Sequence, residues 1–228
     1  MRILALETSG RAGSVAACQA GQVVAERQLD PAARNARTLA PALHRLLAEL
    51  GWRANAIDLV AVSVGPGSFT GLRVGVTTAK VLAYAWQCHL LGVDTLECVA
   101  RVLHAEATND RLAIVLDAGR GQVYAATFLP TIAGLQVAAP TRLVSAEDWL
   151  ASLEPGVLVA GPALAELSQR LPPHARPAPP EWWFPGARGV AMAAMERAGR
   201  GEHDDPFTLV PRYLRPSAAE EKSRAGNV

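Results

Sequence analysis

Two short stretches of this chain carry residue types and spacing that could do chemistry. One is Gly65-Pro66-Gly67-Ser68-Phe69-Thr70-Gly71, three glycines with two hydroxyl side chains between them. The other is Glu7-Thr8-Ser9-Gly10, a carboxylate followed by two hydroxyls. A glycine-rich turn between a buried strand and a helix brings backbone N–H groups to a phosphate. A carboxylate with hydroxyls at a strand end suits a metal–phosphate group. Thr8, Ser9, Gly65, Gly67, Ser68 and Thr70 are therefore the candidate nucleotide-binding residues. The same residues also make a sharp turn with a local cap, and residue types alone leave both readings open.

The usual fingerprints do not complete either stretch. No Gly-Lys-Ser/Thr follows the glycine turn, so it is not a Walker loop. The spacing Gly65-x-Gly67-x-x-x-Gly71 is one residue too long for a dinucleotide fingerprint, and no acid stands at a strand end about 20 residues on. There is no HExxH, no HxxxH pair and no GxSxG elbow. Ser68 has no His partner to which the sequence points. No catalytic residue and no metal ligand is assigned.

The elements that must position these groups are legible from apolar patterning. Arg2 to Glu7, Ser14 to Cys18 and Gln22 to Leu29 read as a strand and an antiparallel meander. A helix is expected from Thr38, with Leu39, Leu43, Leu46, Leu47 and Leu50 at helical spacing and Gly51 as its stop. Leu59 to Val64 is an unbroken apolar run, as in a strand buried on both faces. The segment Leu72 to Trp86 carries Leu72, Val76, Ala79, Ala83 and Trp86 on one stripe. Val74, Thr78, Val81 and Ala85 lie roughly opposite. A helix apolar nearly all round needs cover on both sides, from its own domain or from another subunit.

Further on, Leu90 to Val93 reads as a strand and Thr95 to Ala107 as a helix capped by Thr95. ILALETSGRAGSVAA near the start and AIVLDAGRGQVYAA further on share an order: apolar strand, acid, Gly/Arg turn, second strand. This faint repeat implies two related halves. The expected division is residues 1–108 and a smaller unit 109–228, with a disordered-looking tail from about 217. Helices are expected over Ser145 to Leu153, Pro162 to Leu171 and Ala187 to Ala198, and a strand over Val157 to Ala160. The aromatics Trp182-Trp183-Phe184 in the proline-rich connector tuck a loop onto the core or form a binding surface.

Composition excludes several classes. Half of the 228 residues are hydrophobic and the net charge is +1, so no global field draws the chain to nucleic acid or membrane. Any RNA contact is local or comes through a partner. Three cysteines without CxxC spacing argue for reduced thiols rather than a disulfide framework. MRILALETSG lacks the apolar core of a signal peptide and no run reaches membrane-spanning length, so a cytoplasmic location is expected.

At ILALETS, SVGPGSFTGLRVGVTTAKVLA, LLGVDTLECVA, VLDAGRGQVYAA and PRYLR the chain resembles the TsaB (YeaZ) family, the smaller relatives of TsaD/Kae1. These anchors span residues 3 to 215. The resemblance implies the two-domain α/β fold of the actin/Hsp70/sugar-kinase (ribonuclease-H-like) type, with a reduced second domain. It implies work in making threonylcarbamoyladenosine on tRNA. The larger relative performs the transfer with a metal held by an HxxxH motif, which would fall here on Thr95 and Val99. Neither can replace an imidazole.

The resemblance therefore implies a non-catalytic subunit that supports a TsaD-like partner, with a TsaE-like ATPase as third member and tRNA held only through the complex. Partner contact would run through first-domain helices, at Leu39, Leu43, Leu46, Val74, Thr78, Val81 and Ala85. Two copies packed the same way would form a homodimer. Two departures from the family pattern, Glu7 for Asp and Asp117-Ala118-Gly119-Arg120 for Asp-Ala-Arg, fall where such a fold holds phosphate or metal. No cofactor is assigned, with ATP or ADP, weakly or at a complex interface, left open. The alternatives are a free-standing phosphotransferase, a glycoprotease-type peptidase or a regulatory nucleotide-binding module.

Overall fold

In the first strand, β1 (Arg2–Glu7), Ile3, Leu4, Ala5 and Leu6 are all fully buried. Strand alternation sends Leu4 and Leu6 to one face and Ile3 and Ala5 to the other. The computed structural model describes residues 1–106, 110–132 and 134–215. β1 pairs antiparallel with β2 (Ser14–Gln19), which pairs antiparallel with β3 (Gln22–Gln28). On its other side β1 runs parallel to β4 (Leu59–Gly65), and β4 to β5 (His89–Asp94). The sheet order is β3-β2-β1-β4-β5.

The second sheet repeats this plan. β6 (Leu112–Gly119), β7 (Gln122–Thr131) and β8 (Gly134–Ser145) form the antiparallel meander. β9 (Leu158–Ala160) and β10 (Arg176–Pro177) add in parallel beside β6. Its order, β8-β7-β6-β9-β10, is the first sheet's order element for element. The faint sequence repeat thus marks two lobes of one topology. This is the α/β architecture of the actin/Hsp70/sugar-kinase fold.

Helices α1 (Asn35–Glu49) and α2 (Phe69–Trp86) cover one face of the first sheet. The first stripe of α2 is buried as expected, with Leu72, Val76, Ala79 and Ala83 in the core. α1 begins three residues before the expected Thr38. Its Asn35 amide reaches back to the Thr8 and Gly10 carbonyls at 3.3 and 3.4 Å, a tertiary contact that periodicity does not encode. α3 (Thr95–Ala105) is capped by Asp94, whose carboxylate accepts from Leu96 N at 2.8 Å, rather than by Thr95.

α4 (Ala146–Ala151) is capped by Ser145 as read. The expected helix over Pro162 to Leu171 shrinks to the single turn α5 (Leu164–Leu167), followed by a 3-10 turn. α6 (Ala187–Gly199) does not stay with the second lobe. Its Ala187, Val190, Ala191, Ala193 and Ala194 bury against the other face of the first sheet. Gly189 lets its backbone approach Cys98 of α3, where a side chain would strike the Cys98 carbonyl. α3 turns its remaining apolar residues, Leu96, Val99, Ala100 and Leu103, to the second sheet.

The chain then returns along the first lobe. Asp204 bridges to Leu90 and accepts from Gly92 N at 2.7 Å. Arg212 N donates to the Val64 carbonyl at 2.7 Å. The last described residues cross to the second lobe: Arg212 bonds the Asp94 carboxylate at 3.1 Å and the Thr141 carbonyl at 3.5 Å, and Arg215 bonds Ala118 O and Gln122. Residues 204–215 form a strap over both lobes. A simple cut near 108 therefore misassigns α6 and the strap, while the boundary itself and the tail from 217 lie in or next to residues outside the described ones.

Candidate functional site

β1 ends in Glu7, and β6, the equivalent first strand of the second lobe, carries Asp117 two residues before its end, where it borders an interlobe cleft. The cleft has a volume of about 1050 Å³ and is bordered by Ser9, Gly67, Ser68 and Asp117. Glu7, at the end of β1, is fully buried. Its Oε1 accepts from Ser9 N at 2.6 Å and from the Ser9 hydroxyl at 2.5 Å. Its Oε2 is buried with no partner. Burial pushes the Glu7 carboxyl above the usual carboxylate range, against the opposing pull of Ser63 and Ser9 donors. Burial also raises the Cys98 thiol well above its ordinary value, with the charges of Glu7, Glu97 and Asp94 adding to it.

The glycine turn packs on this strand end. Ser68 N donates to the Ser9 carbonyl at 2.7 Å, and the Thr8 hydroxyl donates to the Gly71 carbonyl at 2.9 Å. A Cβ on Gly67 would lie 2.6 Å from the Ser9 carbonyl oxygen. One on Gly71 would strike the Thr8 carbonyl, and one on Gly75 the Thr8 hydroxyl. Gly71 and Gly75, four residues apart on α2, and Gly67 just ahead of the helix all lie against the Thr8-Ser9 turn. Their physical role is this close approach. Gly65 has φ of 115° and its α-carbon faces the Arg212 carbonyl of the strap. Ser68 caps α2 by accepting from Gly71 N at 3.2 Å, and Thr70 is exposed.

A phosphate chain needs unspent donors at these turns. Ser9 N is committed to Glu7, Ser68 N to Ser9, and Gly71 N to Ser68. In the second lobe Gly119 N donates to the Asp117 carboxylate at 2.8 Å. These four N–H groups are therefore used within the chain's own turns. Among the described residues no group of three or more His, Cys, Asp or Glu side chains is placed to hold a metal ion.

The remaining expected residues divide in two. Leu39, Leu43 and Leu46 are 2, 5 and 0% exposed and pack into the core beneath α1, so they present no face to a partner. The leucine spacing that suggested a docking stripe is the stripe by which α1 holds its own sheet. On α2, Val74 and Thr78 are half-buried while Val81 and Ala85 are exposed. The strap supplies part of the cover that the sequence left open between the chain's own domain and another subunit. Lys80 Nζ donates to the Leu209 carbonyl at 2.9 Å, Phe69 stacks on Tyr213 with centroids 4.5 Å apart, and Arg73 lies 3.9 Å over the Phe69 ring. What stays open is one patch: Val81 and Tyr84 of α2, 59 and 62% exposed, with Phe207 and Val210 of the strap, 77 and 67% exposed. Tyr84 and Phe207 meet edge to face at 6.0 Å. Sequence reading missed the strap half of it, whose PRYLR signal gave no hint of its path.

The chain shares this architecture with known proteins in detail. Residues 22–188 match the family model of TsaD, tRNA N6-adenosine threonylcarbamoyltransferase. The tRNA threonylcarbamoyladenosine biosynthesis protein TsaB of Bacillus subtilis is 31% identical over 68% of this chain and 66% of its own length. The protein of that name from Escherichia coli is 36% identical over 56% and 55%. YeaZ from Pseudomonas aeruginosa superposes with a TM-score of 0.82 at 27% identity, covering 93% of this chain and 99% of that one. The chain belongs to the TsaB (YeaZ) family. Its sequence matches span about half to two thirds of the length of the curated TsaB relatives. Within the family frame, Thr95 and Val99 stand where the resemblance puts metal-binding histidines, and both are buried.

Proposed function

We propose that this chain is a non-catalytic subunit of the machinery that makes threonylcarbamoyladenosine on tRNA. It docks a larger TsaD-like transferase, with a TsaE-like ATPase as third member, in the cytoplasm. The observation that carries the reading is the exposure of Val81, Tyr84, Phe207 and Val210, with Tyr84 of α2 and Phe207 of the strap in ring contact. Apolar surface gathered in this way suits a protein partner. The Thr95 and Val99 positions support an accessory role, since neither side chain offers a metal a lone pair of the imidazole kind. tRNA reaches this chain through the complex, consistent with its net charge of +1.

The test is reconstitution of the modification from purified TsaD-like and TsaE-like partners with and without this chain. Modification that depends on adding it supports the proposal. Modification at full rate in its absence overturns it. Sedimentation of the chain alone and with the TsaD-like partner reads the docking: a homodimer that persists unchanged beside the partner places the patch between copies instead.

A further inference from the structure

The solvent side of α1 carries charge of one sign. Its buried residues Leu39, Ala42, Leu43 and Leu46 fix which side faces the sheet. At about 3.6 residues per turn, Arg37, Pro41, His44, Arg45 and Ala48 fall opposite them, and all are exposed. Arg34 stands at the N-cap and Arg53 just past the C-terminus, both exposed. The Asn35 amide, bonded to the Thr8 and Gly10 carbonyls, brings the turn that carries exposed Arg11 to the start of the same helix. Between residues 29 and 57 the acids are Asp30 and Glu49. Glu49 is paired with Arg27 at 2.6 Å, and Asp30 accepts from Ala32 N at 2.9 Å. Among the described residues, Arg11, Arg34, Arg37, Arg45 and Arg53 make no ion pair. The result is a ridge of unneutralised guanidiniums along a helix of 15 residues, about 22 Å long.

We propose that this ridge is a contact surface for the phosphodiester backbone of a folded RNA, gripping phosphates without reading bases. The proposal deepens the function given above and rests on it for the identity of the RNA, the tRNA that is modified. Two observations favour RNA over an acidic protein. The apolar members of this face are Ala40, Pro41 and Ala48, and none of the large exposed hydrophobics belongs to α1. A protein interface centres on buried aromatic or large aliphatic anchors, which this face lacks. The charge is carried by arginine, whose planar fork matches a phosphate and whose contacts release counterions from a polyanion. A net charge of +1 confines the attraction to the ridge. Alone the ridge binds weakly, and in the complex it adds to the partners' hold on the RNA.

The test is fluorescence anisotropy of an unmodified tRNA transcript titrated with the full chain over a range of salt concentrations. The wild type should bind with a dissociation constant of about 1–100 µM at low salt, the range of sequence-independent electrostatic binding. Arg37→Gln combined with Arg45→Gln should weaken binding about tenfold and reduce the log–log salt slope by about 2. Its thermal melt should stay unchanged, because both positions are exposed. Arg170→Gln removes a guanidinium already paired with Glu147 in the second lobe and should leave the slope as it is. The proposal is overturned by absence of tRNA binding at low salt, by a slope that the double variant does not change, or by an equal change in Arg170→Gln. It is also overturned if the double variant binds tRNA as the wild type does but no longer captures the TsaD-like partner, which makes the ridge a protein contact. Partner capture and modification are read in separate assays, so failure here leaves the subunit reading standing, and failure of that reading leaves the salt slope to be judged on its own.

Discussion

Thr8 and Gly71 are locked in both directions. The Thr8 hydroxyl donates to the Gly71 carbonyl at 2.9 Å, and the Thr8 carbonyl occupies the place a Gly71 side chain would take. The same threonine hydroxyl excludes a side chain at Gly75 one turn on. The glycine-rich stretch is thus a fit between a strand end and a helix face, with little tolerance on either side. Gly71→Ala should cost about 3 kcal/mol, the upper range for overpacking a buried contact. Gly199→Ala, where nothing lies within 4 Å, should be neutral or slightly stabilising. Urea unfolding midpoints of the two variants give the comparison, and equal midpoints would show that the contact is not tight.

Val81→Glu should abolish capture of the TsaD-like partner while leaving the circular dichroism melt unchanged, because Val81 is 59% exposed. A charge at the centre of a desolvated apolar patch typically costs a few kcal/mol of binding. Leu43→Glu, by contrast, should unfold the chain, since Leu43 is in the core. Partner capture by Val81→Glu at wild-type affinity would remove the patch from the interface.

Glu7 gives a pH signature. Its carboxyl is held above the usual range by burial, so the folded state binds its proton more tightly than the unfolded state does. The stability tied to that proton is complete below the ordinary glutamate range and is lost as pH rises through the raised value. Glu7→Gln removes the titration. Unfolding free energy measured against pH should fall over that window in the wild type and run flatter in Glu7→Gln. Parallel curves would exclude a titrating Glu7.

Arg101 is 7% exposed and sits between Glu97 at 2.8 Å and Glu196, joining α3 to α6. Removing it strands the Glu97 carboxylate with little solvent, while Glu196 keeps its pair with Arg200 at 2.6 Å. Arg101→Ala should lose about 3–5 kcal/mol of stability, readable as a lowered denaturant midpoint. A double variant that also carries Glu97→Gln should recover part of the loss, because one stranded charge is gone.

Much of the fold was legible because its signals are local. Leu59 to Val64 announces a strand buried on both faces, and the stripe Leu72, Val76, Ala79, Ala83 announces a helix. The two acid-ended strands with their Gly/Arg turns announce two like lobes. β8 was not legible: most of its residues are half-buried or exposed and Pro140 lies within it, so it carries no clear alternation and is held by backbone pairing to β7. The leucines of α1 gave the right helix and the wrong partner, since periodicity reports that a face is covered and not by what. The glycines of the turn behaved likewise. Their spacing records a close approach, and only the position of Thr8 and Ser9 says what approaches. The strap could not be read at all, because its contacts with the lobes are with residues 71 or more positions away.

The return of α6 to the first lobe has a consequence for how the chain is made. Besides Cys98 of α3, Ile3, Ala5, Leu59 and Ala61 are covered mainly by Ala187 to Ala194. Those residues leave the ribosome after the whole second lobe has emerged. Until then one face of the first sheet lacks most of its cover. The lobe that is synthesised first is therefore the lobe that is completed last.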